Sequence, residues 1–376
     1  MYIIPTHLNP TSQNTFNNST PKMSSLLPGI PTMSLGAPGV HSLPSKLHQA
    51  SIHGFQGIEL FFEDLNSLAE TSFSGNHLEA AQHVRDLCDK LNLTIICLQP
   101  FLFYEGLLDR TQHNHLLTTK LTLWFQIARI LGTDLIQVPS NFLPADPETG
   151  ELKTSGDIEL IISDLQKIAD IGAAQSPAFR FVYEAISWGN HVCNWEDSYR
   201  IVEEVNRPNF GLCLDTFHIL ARVYADPLSP TFIKSTAKQD LQTCLSSLRR
   251  IDPRKIYYIQ VVDGERLSSA LDETHPFYVK GRPCWMSWSR NARLFAFEED
   301  RGAFMPVLEV VKAILDAGFE GWVSLELFHR DLARKDDTVP AEYAARGIES
   351  LRELGRRLSD SNARSGNGNE IVQHRL

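Results

Sequence analysis

The sequence predicts an α/β protein built as one closed (β/α)8 barrel. Three observations lead there. Short runs nearly continuous in apolar residues alternate along the chain with helical stretches, the pattern of a parallel sheet buried on both faces. Eight such strand–helix units can be traced, which suits closure into a barrel better than an open doubly wound sheet. The later apolar runs end in oxygen-bearing side chains, Glu184, Asp215, Gln260 and Glu326. A buried strand has no cheap place for an unpaired carboxylate except at its C-terminal end, where the strands of a barrel open onto one face.

The elements follow in order. Residues 1–25, rich in Ser, Thr, Asn and Pro, read as a disordered extension, and residues 26–357 as the barrel domain. Leu27–Leu35 supplies the first strand, Leu43–Ile52 a helix and Gly57–Phe62 the second strand. Helix His77–Leu91 precedes strand Leu93–Leu98, and helix His115–Leu131 precedes strand Asp134–Val138. Helix Gly156–Ile171 leads to the strand Arg180–Ile186, and helix Trp195–Val205 to the strand Phe210–Asp215. A helical region up to Arg250 leads to the strand Ile256–Gln260. Helix Ala303–Ala317 leads to the strand Trp322–Leu327, and Glu342–Leu354 is the last helix. The polar residues 358–376 read as a disordered tail.

Between the seventh strand and its helix lies a long connection, residues 264–301. Structureless connections of that length are usually lids or binding loops. It contains Trp285, Trp288, Ser289, Arg290 and Arg293. Two tryptophans can cover a flat ring, and an arginine can grip a carboxylate through two parallel hydrogen bonds.

Composition narrows the function. The 376 residues can bury a large core, and 43% hydrophobic with 21% charged residues is ordinary for a soluble protein. A formal net charge of −10 argues against nucleic acid as the main partner while leaving room for a small anionic substrate. The six cysteines show no metal or redox spacing and read as reduced thiols of a cytoplasmic protein. No run approaches the roughly 20 apolar residues of a membrane span. No phosphate-binding, dinucleotide-binding or nucleophile-elbow motif occurs. His113 and His115 form a pair read as exposed.

If the strand ends converge, Glu184, Asp215, Gln260 and Glu326 form a hard oxygen set suited to Mg2+, Mn2+ or Co2+ rather than to a structural zinc. His218, three residues after Asp215, can face the same cleft as a proton carrier or hold a ligand by hydrogen bonding alone. Glu59 and Gln99, at the ends of strands two and three, can contact substrate or fill the barrel mouth.

The chain resembles the fungal 3-dehydroshikimate dehydratases of quinate catabolism, within the xylose-isomerase-like TIM barrel superfamily. The resemblance rests on Pro31–Gly36, Gly57–Leu65, Cys97–Phe101, Leu214–His218, Ile259–Gly264, Ser287–Asn291, Glu298–Gly302 and Val323–Phe328, and covers residues 28–355. It implies a metal-dependent lyase that converts 3-dehydroshikimate to protocatechuate with loss of water. It implies Glu184, Asp215, Gln260 and Glu326 as metal ligands and His218 as a catalytic-site residue, with Glu184 or Glu326 able to share the proton transfers. It further implies Ser289 and Arg293 near the substrate, with Arg290 or Arg293 on the carboxylate. Where bacterial relatives often carry an Arg-Asp pair this chain has Leu102 and Phe103, so another residue must do that work. The alternative on the same barrel is a ketose isomerase or epimerase using Glu184 and Glu326 as acid and base. An endonuclease-type relative would need several His ligands and a basic face, and a metal-free sensor would have lost a ligand. The sequence leaves the oligomeric state open.

Overall fold

A computed structural model describes residues 26–372, with side chains through residue 361 and at residue 363. The extension expected over residues 1–25 lies outside them. The strands are β1 (Leu26–Pro31), β2 (Gly57–Phe61), β3 (Thr94–Gln99), β4 (Leu135–Pro139), β5 (Arg180–Glu184), β6 (Phe210–Asp215), β7 (Ile256–Gln260), β8 (Asp263–Gly264), β9 (Arg293–Leu294) and β10 (Gly321–Ser324). All except β8 and β9 pair in parallel and close a barrel in chain order, with β10 returning to β1. β8 and β9 form a separate antiparallel ribbon.

Helices cover the outside. They are α1 (Leu43–His53), α2 (Phe62–Ser72), α3 (His77–Leu91), α4 (Arg110–His115), α5 (Leu121–Leu131), α6 (Ile158–Ala173), α7 (Trp195–Val205), α8 (Thr216–Val223), α9 (Ala237–Leu248), α10 (Cys284–Ala292), α11 (Val307–Asp316) and α12 (Val339–Val372). Among the described residues no helix is long and apolar enough to cross a membrane. Several helices start on a side-chain acceptor that satisfies the first free amides: Asn76 takes Leu78 N and Glu79 N, and Asp109 takes Thr111 N and Gln112 N.

The apolar residues divide in two. One large group fills the space between strands and helices, and a smaller one, Ile96, Cys97, Leu135, Val182, Cys213 and Tyr258, is packed separately. All six cysteines are free thiols. Lys46 is fully buried and donates to Gly36 O and, at 2.5 Å, to Asp64 Oδ1, tying α1 to α2.

The structure departs from the sequence pattern where neighbouring elements abut. Helix α2, absent from the expected order, follows β2 without a loop, so the strand's apolar run hides its start; Glu63 and Asp64 supply the acidic first turn. β1 stops at Pro31, and Thr32–Leu35 turn inward, where Thr32 Oγ1 accepts from Phe61 N and Ser34 Oγ from Leu327 N. β10 stops at Ser324, so Glu326 lies two residues beyond it. α12 runs on to Val372, through most of the stretch set aside as a tail from residue 358. His113 is buried rather than exposed, its Nε2 3.2 Å from Asp164 Oδ1, while His115 is exposed.

The 264–301 segment is a packed cover. Its helix α10 drives Trp288 fully into the core, where Nε1 donates to Glu265 O. Gly264 lies against that indole: a Cβ there would come within 2.4 Å of Trp288 Cζ2, so only glycine allows the approach.

Register sets the level of the polar strand ends. Asp215 pairs with Gln260, Gln260 with Ser324, Pro139 with Glu184 and Phe61 with Gln99, whereas Glu59 pairs with Cys97, two residues short of Gln99. Asp215, Gln260, Glu184 and Gln99 therefore lie towards one rim, the C-terminal mouth, and Glu59 sits a step deeper in the barrel.

Candidate active site

At that mouth lies a cavity of about 380 Å³. Gln99, Gln137, Glu184, His218, Ser289, Arg293 and Glu326 form its polar lining, and Arg290 and Glu63 also border it. Phe61, Leu102, Phe142, Ile186, Trp188 and Phe328 supply apolar wall. A mostly apolar cavity with a few convergent polar groups is the usual form of a small-molecule site.

Glu184, Asp215, His218 and Glu326 each bring one ligand atom to within 4.8 Å of the others, an arrangement able to hold a metal ion. Their placement follows from local structure. Asp215 ends β6 and caps α8, its Oδ1 accepting from Phe217 N at 2.6 Å, which directs Oδ2 to Arg293 Nη1 at 2.8 Å. His218 sits in the first turn of that helix, three residues on. Its Nε2 accepts from Arg293 Nη2 at 2.9 Å and lies 3.7 Å from both Glu184 Oε1 and Asp215 Oδ2. Its Nδ1, which then carries the ring proton, donates to Ser187 Oγ at 3.2 Å, with Ser187 N 3.1 Å away.

Arg293 is the hub. Its Nη1 donates to Asp215 Oδ2, to Glu326 O at 2.9 Å and to Glu326 Oε2 at 3.2 Å, and its Nε donates to Ser289 Oγ. Gln260 donates its Nε2 to Glu326 Oε1 at 3.2 Å and to both oxygens of Glu59. Gln137 donates its Nε2 to Glu184 Oε2 at 2.8 Å. Two buried oxygens in this group, Glu184 Oε1 and Gln260 Oε1, have no hydrogen-bond partner among the described residues.

Burial governs the electrostatics. It holds the Glu184 carboxyl well above the usual range, helped by the Glu326 and Asp215 charges. It pushes Glu326 up to about 8, against the pull of Arg293. Asp215 is raised by burial and drawn back by Arg293. Burial and then the Arg293 charge hold His218 well below the ordinary imidazole range, so its neutral form prevails.

Of the residues singled out from the sequence, Glu184, Asp215, Gln260, Glu326 and His218 come together. Gln99, Ser289, Arg290 and Arg293 border the cavity. Glu59 does not. It is fully buried outside the cavity lining, accepting from Gln99 Nε2 at 2.9 Å as well as from Gln260, and so it fills the barrel instead of meeting substrate. Arg293 is 1% exposed with its donors already engaged, which leaves exposed Arg290 as the arginine free to meet an anion. Trp285 and Trp288 do not cover the cavity: Trp288 is core, and Trp285 Nε1 donates to Ala221 O. The tryptophan on the cavity wall is Trp188, set edge-on to His218 with centroids 5.0 Å apart. Sequence reasoning missed Trp188 because it follows the end of β5 inside a loop. It missed Gln137 because that residue precedes two apolar ones instead of closing its run.

The family model described as xylose isomerase-like TIM barrel matches residues 47–354. The chain is 46% identical over 338 residues to the 3-dehydroshikimate dehydratase of Neurospora crassa, covering 86% of this chain and 92% of that protein. It is 30% identical over 323 residues to the 3-dehydroshikimate dehydratase of Pseudomonas putida, covering 86% of this chain and 40% of that protein, so it spans well under half of the bacterial relative. Among solved structures, a xylose isomerase-like TIM barrel/4-hydroxyphenylpyruvate dioxygenase fusion protein aligns with a TM-score of 0.66 at 27% identity, covering 89% of this chain and 44% of that one.

Proposed function

The chain belongs to the xylose isomerase-like TIM barrel family, and on that premise we propose that it is a cation-dependent 3-dehydroshikimate dehydratase, which removes water from the ring to leave protocatechuate. The observation that carries this reading is the 46% identity running through 92% of the Neurospora crassa enzyme.

The site's chemistry supports it. Glu184, Asp215, Gln260 and Glu326 would hold a hard divalent cation such as Mg2+, Mn2+ or Co2+. Glu184 Oε1 and Gln260 Oε1 are buried acceptors without donors, which suits a cation nearby. Three carboxylates around one guanidinium leave an excess of negative charge that a doubly charged ion offsets. When bound, such an ion supplies positive charge opposite an oxygen that becomes anionic as the adjacent proton leaves.

The protein's own residues do the rest. The imidazole of His218, kept neutral by burial and by Arg293, is the proposed acceptor for the proton next to the ketone, its Nε2 exchanging the Arg293 contact for that proton. Ser187 Oγ, accepting from Nδ1, and Arg293 Nη2, donating to Nε2, fix the ring's orientation from opposite sides. Glu184 and Glu326 can share the later proton transfers. Arg290, exposed at the rim, would take the substrate carboxylate. Gln99 and Ser289 border the space left for the ring hydroxyls, and Phe142 and Trp188 supply apolar wall beside it.

The test is incubation of the purified chain with 3-dehydroshikimate, following the absorbance of protocatechuate. Turnover that a chelator abolishes and Mn2+ restores is the expected result. Full turnover in chelator would end the cation reading, and turnover of free ketoses but not 3-dehydroshikimate would end the dehydratase reading.

A further inference from the structure

We infer that Glu59 is a positioning residue that decides which end of the Gln260 amide faces the proposed cation. The inference rests on the reading of Gln260 as a ligand and concerns a residue outside the cavity. Glu59 is fully buried, and both of its oxygens accept from Gln260 Nε2, at 3.1 and 3.0 Å. It also accepts from Gln99 Nε2 at 2.9 Å and from Cys97 Sγ at 3.6 Å. A side chain ringed by donors in this way accepts at every contact, so an amide facing it must present its NH2. The two ends of an amide have nearly the same shape, and only hydrogen bonding tells them apart. With Nε2 turned to both oxygens of Glu59 and, at 3.2 Å, to Glu326 Oε1, the oxygen is the end left over, and Gln260 Oε1 is a buried atom without a donor among the described residues. The reverse orientation would set carbonyl oxygen against carboxylate oxygen and offer the cation an NH2 group, which cannot ligate it.

Gln137 stands in the same relation to Glu184 with the chemical types exchanged. The amide donates to Glu184 Oε2 and leaves Oε1 without a partner. Each of the two donorless oxygens thus belongs to a side chain whose other terminal atom is held across an amide–carboxylate contact. Outer partners of this kind typically change metal affinity by roughly 10–100-fold when removed.

The experiment is calorimetric titration of Mn2+ into the metal-stripped full chain, comparing the parent, E59Q and the exchanged pair E59Q/Q260E. In E59Q the residue at 59 offers both a donor and an acceptor, so only the 3.2 Å contact to Glu326 Oε1 still favours one orientation of the Gln260 amide. Mn2+ should bind roughly 10–100-fold more weakly, with the melting temperature of the metal-free protein little changed. In E59Q/Q260E the atoms across the contact are the same with roles exchanged, and a carboxylate has an oxygen at either end. Binding should recover most of the loss seen in E59Q. A parent that binds while E59Q binds equally well overturns this inference alone. A parent that binds no Mn2+ overturns the ligand reading and this inference with it. Should E59Q fail to fold, the exchanged pair decides: parent-like affinity supports the inference, and a folded pair that does not bind overturns it.

Discussion

A guanidinium that holds nothing in the resting protein is available to a ligand, and that distinguishes Arg290 from Arg293. Arg290 borders the cavity, is exposed, and makes no ion pair or hydrogen bond among the described residues. Partial desolvation by the cavity wall and the nearby charge of Arg282 disfavour its charged form, which an incoming carboxylate would relieve. Arg290→Ala should therefore raise KM for 3-dehydroshikimate by roughly 10–100-fold, the worth of a charge-assisted hydrogen bond of about 1.5–3 kcal/mol. The melting temperature should stay at the parent value, because no contact within the protein is lost. Steady-state kinetics beside thermal unfolding checks both halves; an unchanged KM would move the carboxylate to another residue. Arg293→Ala is the contrast, since it would strip the partner from the buried Asp215 and Glu326 carboxylates at once. The difference was not legible from the residue types. Arg290 and Arg293 lie three apart in one short segment, and they part because Arg290 is on helix α10 while Arg293, one residue past its end, is in the extended backbone of β9.

At the scale of elements, the loops after β3 and β4 carry much of the apolar wall, and a buried carboxyl joins them. Glu105 Oε1 accepts from Asn141 N at 2.5 Å and Tyr183 OH at 3.1 Å, and Asn141 Nδ2 donates to Glu105 O at 2.8 Å. Leu102 and Phe142, on either side of this junction, line the cavity. Burial pushes the Glu105 carboxyl up to about 8, and its Oε2 has no partner among the described residues. The folded chain thus binds this proton more tightly than the unfolded chain does. Its contribution to stability is complete below the ordinary glutamate range and is lost as pH rises towards about 8. In Glu105→Gln the retained carbonyl oxygen still accepts from Asn141 and Tyr183, and nothing titrates. Melting curves between pH 5 and 8.5 should show the variant gaining on the parent as pH rises, and parallel curves would sink the assignment. None of this junction could be read from sequence, because Glu105 sits in a connection with no periodicity and its partners lie 36 and 78 residues away. The strands were legible for the opposite reason. An apolar run closed by Glu184, Asp215 or Gln260 states its own burial and its own end, whereas the Trp285–Trp288 pair reads alike as ring cover or as core plug until its helix is seen.

At the scale of the whole molecule, the barrel closes by pairing β1 with β10, elements from opposite ends of the described chain. The proposed ligands come from β5, β6, β7 and the segment just past β10, so a cation among them would link about half of the barrel circumference. Such an ion cannot be bound by the unfolded chain in the same way, since Glu184 and Glu326 are separated by most of the second half of the sequence. Its binding is therefore added to the stability of the entire fold: about 2.7 kcal/mol when the free ion stands at a hundred times its dissociation constant. In a chain of this size that corresponds to a rise in melting temperature of roughly a few degrees. Stripping the protein with chelator should lower the melting temperature by that amount, and Mn2+ should restore it in a concentration-dependent way. Asp215→Asn should abolish the response, because it removes a carboxylate that both caps α8 and faces the cluster. A response to Mn2+ that survives in Asp215→Asn would place the ion elsewhere on the molecule. A melting temperature indifferent to chelator would leave the buried carboxylates with Arg293 as their one counter-charge, a site built to bind substrate without a metal.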